Sequence, residues 1–403
     1  MKIIKGYKVK LDLNNCQWTA CAKHAGTARY AYNWGLARKI ESYQKTGKSP
    51  NAIALHRELN QLKKTELSWM YEVSKCAPQE ALRDLDVAFK NFFRRVKQGE
   101  KPGFPKFKSK KCGLGSVRLT GTIKVFEAHI QLPRLGLVRL TEKGYIPTSG
   151  IKILSATVSE KAGQWFVSVQ AEQEVADPEP VTEAMIGIDL GIKTMATCSN
   201  GQTFKNPKAL AAKTEQLKRW QKRLSRRKKG SRNREKARRK VAKLHAQIAN
   251  IRRDALHKAT SAIIAQKPRV VVIEDLNVSG MMANHKLARA ISDVGMHEFK
   301  RQISYKAGWV GVEVIVADRF YPSSKTCSCC GSIKTNLSLS ERVFHCEFCG
   351  FSLDRDLNAA INLSKLSTAS SVGSNACGDG RLQSLGAVPV FETGIKPQMS
   401  PFV

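Results

Sequence analysis

The first half of the chain changes from strand to helix and back to strand in its pattern of apolar and polar positions. Residues 7–13 (YKVKLDL) alternate apolar and polar side chains, which predicts a half-buried strand. Helical spacing of apolar residues then predicts helices at about 15–44, 53–65 and 77–97. From about 115 to 175 the apolar runs become short, as in HIQL and WFVSVQ. We therefore expect a small barrel or sandwich of strands that includes the N-terminal strand.

The apolar pattern of the second half of the chain predicts a different order of elements: three strands, a helix, a strand, a helix, a strand and a final helix. The first and fourth strands read as buried, because both are almost continuously apolar. This order is typical of a ribonuclease-H-like nuclease core. An acidic, proline-containing stretch at 177–183 marks the boundary before it. The predicted strands lie at 184–190, 195–199, about 203–204, 269–276 and 312–318, and the predicted helices are a basic region after the third strand, about 287–308 and about 354–366.

Three carboxylates stand at the ends of elements in this predicted core. Asp189 ends the first strand, Glu274 ends the fourth, and Asp356 opens the last helix. If the first and fourth strands lie side by side, Asp189 and Glu274 come together, and the last helix can add Asp356. Carboxylates crowded in this way repel one another and resist ionisation unless divalent cations lie between them. Two Mg²⁺ ions about 4 Å apart, with Mn²⁺ as the alternative ion, can activate water and stabilise the leaving oxygen of a phosphodiester.

Two neighbouring acids compete for these roles. Asp275 lies directly after the second acid, and Asp354 stands where the last helix begins, a position at which aspartate often caps a helix. Any one acid taken alone could be a strand-end or capping residue, whereas the joint placement favours catalysis. Gly187 and Gly191, close to the first acid on either side, are expected to let a scissile phosphate and the adjacent backbone come close.

Five of the eleven cysteines are clustered between residues 327 and 349. Two C-x₂-C pairs, separated by fifteen residues and each followed by glycine, fit a four-thiolate zinc site. Cys329 and His345 are the competing ligands in this segment. Four thiolates would close the coordination sphere, so we expect one structural zinc with no open position for a catalytic water. The four predicted ligands are Cys327, Cys330, Cys346 and Cys349.

The charge of the chain points to a polyanionic partner. Its 68 Lys and Arg against 33 Asp and Glu give a net charge of +35, and nucleic acid is the usual partner of so basic a protein. A membrane surface is the second candidate. However, no apolar run approaches the ~18 residues of a spanning helix, and the N-terminus lacks the apolar stretch of a signal peptide. We therefore expect a cytoplasmic protein without a membrane partner.

Much of this charge is concentrated in one segment. Fourteen basic residues fall between residues 219 and 243, opposed only by Glu235, and Gly230 and Ser231 interrupt the helical pattern between them. This predicts a basic helical hairpin. A solvated face is the alternative, but so many cations would repel one another, which favours contact with phosphates. A second basic surface lies near 90–111, where phenylalanines alternate with lysines.

Motifs in a fixed order over nearly the whole chain carry a family resemblance. In the first half they are YNWGLARK, AFKNFFRRVK and GFPKFK, and in the second half GIDLGIK, LSRRKKGSRNREKAR, VVIEDL, YPSSKTCSCCG and CEFCGFSLDRDLNAAIN. Together they resemble TnpB, the RNA-guided DNA nuclease of small bacterial insertion sequences and a relative of the type V CRISPR nucleases.

The resemblance implies an α+β multidomain fold. A wedge β-barrel would contain an inserted helical recognition domain, and a ribonuclease-H-like (RuvC) α/β nuclease core would contain an inserted zinc ribbon. The implied bounds are 1–14 and 100–180 for the wedge, 15–99 for the recognition domain, 181–318 and 354–367 for the nuclease, 219–255 for its basic helical insertion, 319–353 for the ribbon and 368–403 for a flexible tail.

The resemblance also implies the site residues and partners. Its active-site acids fall on Asp189, Glu274 and the aspartate of the DxNAA pattern, which is Asp356 and not Asp354. The activity implied is cleavage of double-stranded DNA that matches a guide RNA, next to a short transposon-associated motif. The guide would come from the 3′ end of the gene and its flank, and a monomeric protein would act near the nucleoid of a prokaryotic cell. Residues expected to contact nucleic acid are Lys75, Gln79, Arg94, Arg95, Lys106, Arg226, Arg227, Lys228, Lys229 and Arg232.

Two other classes of protein are possible on the same residues. A transposase that joins DNA strands could use the same carboxylates, but it needs to bind transposon ends, and we identify no helix-turn-helix module with a clear recognition helix. A non-enzymatic zinc-ribbon protein that binds nucleic acid would leave the three acids unexplained.

Overall fold

The computed structural model describes residues 1–110, 113–178, 184–338 and 340–369. The predicted linker at 177–183 lies mostly outside the described residues, and so does the predicted tail, whose first two residues still belong to the last helix. None of the helices in the described ranges is both long enough and apolar enough to cross a bilayer.

An antiparallel sheet of seven strands forms the first half of the chain. The strands are β1 (Lys2–Asp12), β2 (Ser116–Leu119), β3 (Lys124–Val125), β4 (His129–Leu132), β5 (Gly136–Leu140), β6 (Ile151–Lys161) and β7 (Gln164–Glu174). Their order is β2-β6-β7-β1-β5-β4-β3, with β2 and β3 at the edges. The N-terminal strand belongs to this sheet, as predicted, and lies in its middle.

The helices inserted after β1 share one hydrophobic core with this sheet. They are α1 (Asn15–Thr46), α2 (Ala52–Leu62), a short 3-10 helix (Ser68–Glu72) and α3 (Cys76–Lys97). A capping box starts α1, because the Asn14 side chain accepts from the Gln17 N–H and the Gln17 side chain accepts from the Asn14 N–H. Leu36, Leu55 and Leu82 are fully buried together with sheet residues. The three predicted helices are confirmed.

A mixed sheet of five strands forms the second half: β8 (Met185–Asp189), β9 (Thr194–Cys198), β10 (Thr203–Lys205), β11 (Val270–Glu274) and β12 (Glu313–Ala317). Their order is β10-β9-β8-β11-β12. The strands β8, β11 and β12 are parallel, and β9 and β10 extend the sheet in antiparallel fashion. The helices are α4 (Ala209–Arg226), α5 (Arg232–Ala265), α6 (Val278–Met281), α7 (Ala288–Val294), α8 (Met296–Val310) and α9 (Arg355–Ala369). The predicted order of elements is confirmed.

Alternate residues of β11 face two different cores. Val271 and Ile273 pack with α5 and α8 on one side of the sheet, and Val270 and Val272 pack with Leu363 of α9 on the other. Both faces of a central strand are therefore covered, which explains its unbroken apolar sequence. This sandwich places the start of α9 over the carboxyl end of β8.

The predicted helix at 287–308 is wrong in one respect, because the chain breaks between α7 and α8. Gly295 separates them with φ +77°. Its left-handed conformation cannot continue an α-helix and suits a residue without a side chain. A Cβ added there would touch Arg252 and Leu256 of α5 at 3.4 Å, so α5 packs closely against the break.

The basic segment forms the predicted helical hairpin from α4 and α5. Gly230 takes φ +84° between the helices, and Ser231 caps α5 by accepting from the Arg234 N–H at 3.2 Å. Leu217, Leu244 and Ile248 form the small apolar seam that joins the helices.

The packing of α9 on β8 leads to a first prediction. A Cβ at Gly187 would lie 2.0 Å from the Ala360 carbonyl oxygen and 2.5 Å from the Ser364 nitrogen, both backbone atoms. We expect Gly187→Ala to lower the free energy of unfolding by about 1–3 kcal/mol or more, since a backbone cannot move aside like a flexible side chain. Gly6→Ala in β1 is the matched control, because a Cβ there would meet nothing within 4 Å. Equal urea midpoints for the two variants would contradict this account of the packing.

Candidate active site and metal centre

The predicted acids converge at one edge of the five-stranded sheet. Ile188 of β8 pairs with Ile273 of β11 in parallel register, so Asp189 and Glu274, which follow them, end neighbouring strands. Asp356 lies in the first turn of α9. Its Oδ2 comes within 4.0 Å of where a Cβ on Gly191 would stand, which places it beside the loop that follows Asp189.

The other two carboxylates of the group act electrostatically on Asp189. Burial raises the pKa of Asp189 well above its usual value, and the charges of Glu274 and Asp356 raise it further. The nearby Arg355 guanidinium opposes this rise. Burial also raises the pKa of Glu274, while the hydrogen bond from the Ser323 hydroxyl lowers it. The site is therefore a group of like-charged side chains whose repulsion a cation would relieve.

These donors suit a hard divalent cation, because all of them are carboxylate oxygens. They do not form a compact shell for one ion. Within the described ranges, only the four clustered cysteines bring three or more potential ligand atoms within 4.8 Å of one another. The three carboxylates are thus spread over a wider space, next to α9 and the edge of the sheet.

The two competing acids have other partners. Asp275 forms ion pairs with Lys300 at 3.1 Å and Arg319 at 2.6 Å, and these partners lower its pKa. The Asp354 Oδ1 accepts from the backbone N–H groups of Asp356 and Leu357 at 3.0 and 3.1 Å. Asp354 therefore caps the last helix, which was the alternative role considered for it from the sequence.

The glycines around Asp189 let adjacent backbone come close, as expected, but at Gly187 this backbone fills the space expected for a phosphate. Gly187 faces the backbone of α9, and a side chain there would collide with Ala360 and Ser364. At Gly191 a Cβ would lie 2.8 Å from the Thr194 carbonyl oxygen, inside the turn that leads to β9. The close approach at Gly187 is therefore between protein backbones, and no space for a scissile phosphate exists at that position.

The predicted cysteine ligands form a tight cluster. The Cys327 and Cys349 Sγ atoms lie 3.7 Å apart, and the Cys330 and Cys346 Sγ atoms lie 3.6 Å apart. A tetrahedral zinc with bonds of about 2.3 Å places its sulfurs about 3.8 Å from one another. The cluster is consistent with a structural zinc.

The two halves of the cluster have the same turn. Gly331 and Gly350 have φ of +78° and +71°, and their N–H groups donate to the Cys327 and Cys346 carbonyls at 3.0 Å. The competing residue Cys329 lies outside the four-sulfur cluster. His345, the other competitor, lies in β13 (Val343–His345), which pairs with β14 (Ser352–Asp354).

Two asparagines that the sequence analysis missed attach this ribbon to α9. The buried Asn358 accepts from the Ser328 N–H at 2.9 Å and donates to the Thr326 carbonyl at 2.8 Å. The buried Asn362 donates to the Ser323 carbonyl at 2.8 Å. Their spacing of four residues in DLNAAINL, which puts both amides on one face of a helix, was the signal that could have found them.

The expected nucleic-acid contacts in the first half are mostly at the surface. Lys75, Arg94 and Lys106 are exposed, and Gln79 is half-buried. Arg95 is half-buried and lies 3.9 Å from the Glu100 carboxylate. The intervening Cys76 is buried and donates to the Thr120 carbonyl, so it faces the core.

In the basic hairpin the expected contacts fall into two groups. Arg226, Lys228, Lys229 and Arg232 are exposed. Arg227 is half-buried and donates to the Asn233 carbonyl, so part of its role is to hold the turn.

Three family models match successive parts of the chain. They are described as "Helix-turn-helix domain" at residues 1–48, "Probable transposase" of the IS605 OrfB group at 167–285, and "Cas12f1-like, TNB domain" at 297–363. The last range contains the four clustered cysteines and the first turn of α9.

Relatives match over almost the whole chain. A protein of Streptomyces pristinaespiralis named "Putative RNA-guided DNA endonuclease" is 36% identical over 94% of this chain and 92% of its own length. A protein of Escherichia coli K12 named "Putative RNA-guided DNA endonuclease InsQ" is 33% identical over 90% of this chain and 92% of its own length. A mimivirus protein named "TnpB-like protein L79" is 29% identical over 34% of this chain and 26% of its own length. The chain belongs to the TnpB family.

The fold agrees with this membership. The solved structure of "the mini-RNA-guided endonuclease CRISPR-Cas_phi3" aligns with 94% of both chains at a TM-score of 0.52 and 8% identity, a likeness of fold alone. The helix-turn-helix match was not expected from the sequence. In this TnpB-family chain its range contains β1 and the uninterrupted helix α1, rather than two helices joined by a turn.

The cysteine cluster generates the second prediction. Replacing Cys327, Cys330, Cys346 or Cys349 with Ser should remove the bound zinc and destabilise the ribbon, because metal binding supplies folding free energy at such sites. Cys329→Ser is the control and should keep about one zinc per chain. Elemental analysis and thermal unfolding measure both effects. Zinc lost from Cys329→Ser but kept by Cys330→Ser would overturn the ligand set.

Proposed function

We propose that this chain is an RNA-guided, metal-dependent endonuclease that cleaves double-stranded DNA matched to its guide, next to a short transposon-associated motif. The observation that carries the proposal is the convergence of Asp189, Glu274 and Asp356 at one edge of the sheet. Its class is supported by relatives named as RNA-guided DNA endonucleases, which are similar over nine-tenths of the chain or more.

Asp189, Glu274 and Asp356 would together hold two Mg²⁺ or Mn²⁺ ions. When bound, such ions supply activation of the attacking water and charge stabilisation at the leaving oxygen. The protein contributes three negative charges on rigid elements, two at strand ends and one on a packed helix. Burial of Asp189 and Glu274 limits water around them, so the carboxylates depend on cations for stabilisation.

The domain assignment follows the two sheets. The seven-stranded sheet would be the wedge domain, and the helices between β1 and β2 would form the recognition domain. The five-stranded sheet with α4 to α9 would be the RuvC-like nuclease, and residues 319–353 would be its zinc ribbon. The described elements support these bounds, since α1 to α3 lie between β1 and β2 and the cysteines lie between β12 and α9.

Nucleic acid would bind the two basic surfaces. Exposed cations on the α4–α5 hairpin would contact phosphates, which position a backbone without reading its sequence. Exposed residues near the start and end of α3 would contact the duplex motif and the guide–target hybrid. The target sequence would then be read by base pairing with the guide and not by side chains.

A transposase that joins strands is the alternative. The family model described as "Probable transposase" covers residues 167–285, which include Asp189 and Glu274. Binding of transposon ends by a helix-turn-helix is not favoured, because residues 1–48 form one strand and one long helix.

The third prediction concerns the carboxylates. Asp189→Ala, Glu274→Ala and Asp356→Ala should each abolish DNA cleavage and leave RNA and target binding largely intact. A variant with two or three of these substitutions should lose little more cleavage activity than each single variant, because residues that share the metals act as a unit. In metal-free protein, Asp189→Asn should raise the melting temperature, since it relieves repulsion among half-buried acids.

Asp354→Ala is the matched control for Asp356→Ala. It removes the helix cap, which costs about 0.5–2 kcal/mol, but it should still cut DNA. An active Asp356→Ala together with an inactive Asp354→Ala would show that the third acid is misassigned.

The fourth prediction concerns the guide. Protein made without the downstream flank of its gene should not cut matched duplex DNA, and supplying that RNA should restore cutting. Changing the 3′ guide segment should redirect the cut, and deleting residues after about 371 should leave most activity.

A purified complex should show a high 260/280 absorbance ratio that falls with ribonuclease. RNA-free protein that cuts one fixed sequence would favour the transposase.

A further inference from the structure

The YPSSKTCSCCG motif contains a buried serine, Ser323, that contacts one of the three acids. The motif joins β12 to the first cysteine pair, and its Ser323 is only 3% exposed. The Ser323 hydroxyl donates a hydrogen bond to Oε1 of Glu274. The adjacent Ser324 is half-buried, and within the described ranges its hydroxyl bonds to none of the three carboxylates.

The backbone around Ser323 is held on two sides. Its N–H donates to the Tyr321 carbonyl at 2.8 Å, and its carbonyl accepts from the Asn362 amide at 2.8 Å. The same amide donates to the Thr326 carbonyl at 2.6 Å. Asn362 lies on α9 six residues beyond Asp356. The same helix therefore carries one acid of the site and holds Ser323, which contacts a second acid, Glu274.

The zinc ribbon adds to this support. Asn358, one turn before Asn362, bonds to the Thr326 carbonyl and to the Ser328 N–H, which flank Cys327. The segment from Ser323 to Ser328 therefore runs from the Glu274 carboxylate to the cysteine cluster and is attached to α9 along its length. A hydroxyl presented by such a segment has little freedom to turn away from the carboxylate.

We propose that Ser323 is a positioning residue that orients the Glu274 carboxylate for a divalent cation. This inference rests on the proposed function of the carboxylate cluster. The hydroxyl holds Oε1 by a hydrogen bond, which would restrict rotation of the carboxylate and keep Oε2 available to the cation. Loss of such an outer hydrogen bond typically weakens metal affinity by about 10- to 100-fold.

The test compares Ser323→Ala, Ser323→Thr and the control Ser324→Ala in the full-length protein. Binding of Mn²⁺ to the RNA-free chain is measured by electron paramagnetic resonance, and the Mn²⁺ dependence of cleavage is measured with guide RNA. Ser323→Ala should weaken Mn²⁺ binding about 10-fold or more and raise the half-saturating Mn²⁺ concentration similarly. Its cleavage rate should recover substantially at saturating metal, whereas Ser323→Thr and Ser324→Ala should resemble the wild type.

A coupling measurement separates positioning from loss of fold. In a Glu274→Gln background the serine has no carboxylate to orient, so Ser323→Ala should cause no further loss of Mn²⁺ affinity. An equal loss in both backgrounds, or Mn²⁺ binding by Ser323→Ala as tight as by Ser324→Ala, would overturn the inference. If the wild type binds Mn²⁺ but never cuts with its guide, the proposed function fails while the binding comparison still decides the role of Ser323.

Discussion

The contact between the backbone of α9 and Gly187 of β8 is the constraint on which the candidate site depends. A strand residue with any side chain would hold the helix away from the sheet, because a Cβ there would overlap the Ala360 carbonyl. With glycine, α9 lies directly on β8, and its first turn reaches the strand end that carries Asp189. The geometry of the acids thus follows from the absence of a side chain two residues before the first of them.

This packing brings like charges together, and the arrangement is intrinsically unfavourable. Asp189 is half-buried and faces two further carboxylates, and its partial burial and these charges raise its pKa well above the usual value. Such a group destabilises the fold unless a cation or a proton neutralises it. Neighbouring acids avoid this situation: Asp275 has two cationic partners, and Asp354 accepts two backbone hydrogen bonds. Asp275 is adjacent to Glu274, and Asp354 lies two residues before Asp356. Acids with favourable partners and acids of the candidate site are therefore close neighbours in sequence.

The ribbon stabilises the same helix from its other side. Its four sulfurs have the spacing of a tetrahedral metal site, and the loop before and after Cys327 is fastened to Asn358 and Asn362. A small module with one fully buried phenylalanine, Phe344, has little core of its own, so metal ligation would supply much of its folding free energy. Its contribution to the nuclease site would be indirect, through the position of α9 and of Ser323.

Local patterns in the sequence were enough to predict most helices and strands, the basic hairpin and the cysteine pairs. They also identified the three acids as candidate site residues. These features depend on spacing along the chain, as in the apolar run of β11 or the C-x₂-C pairs, and local geometry enforces them. One helix was predicted as continuous although Gly295 breaks it, since a glycine inside an apolar helical pattern does not reveal its φ. The tertiary structure alone decided which partner each polar group finds. Gly187 packs against the backbone of α9, Asp356 lies beside the loop that follows Asp189, and Ser323, Asn358 and Asn362 join the ribbon to the site. Those partners lie tens of residues apart in sequence, so only the packed arrangement of sheet, helix and ribbon brings them within hydrogen-bonding distance.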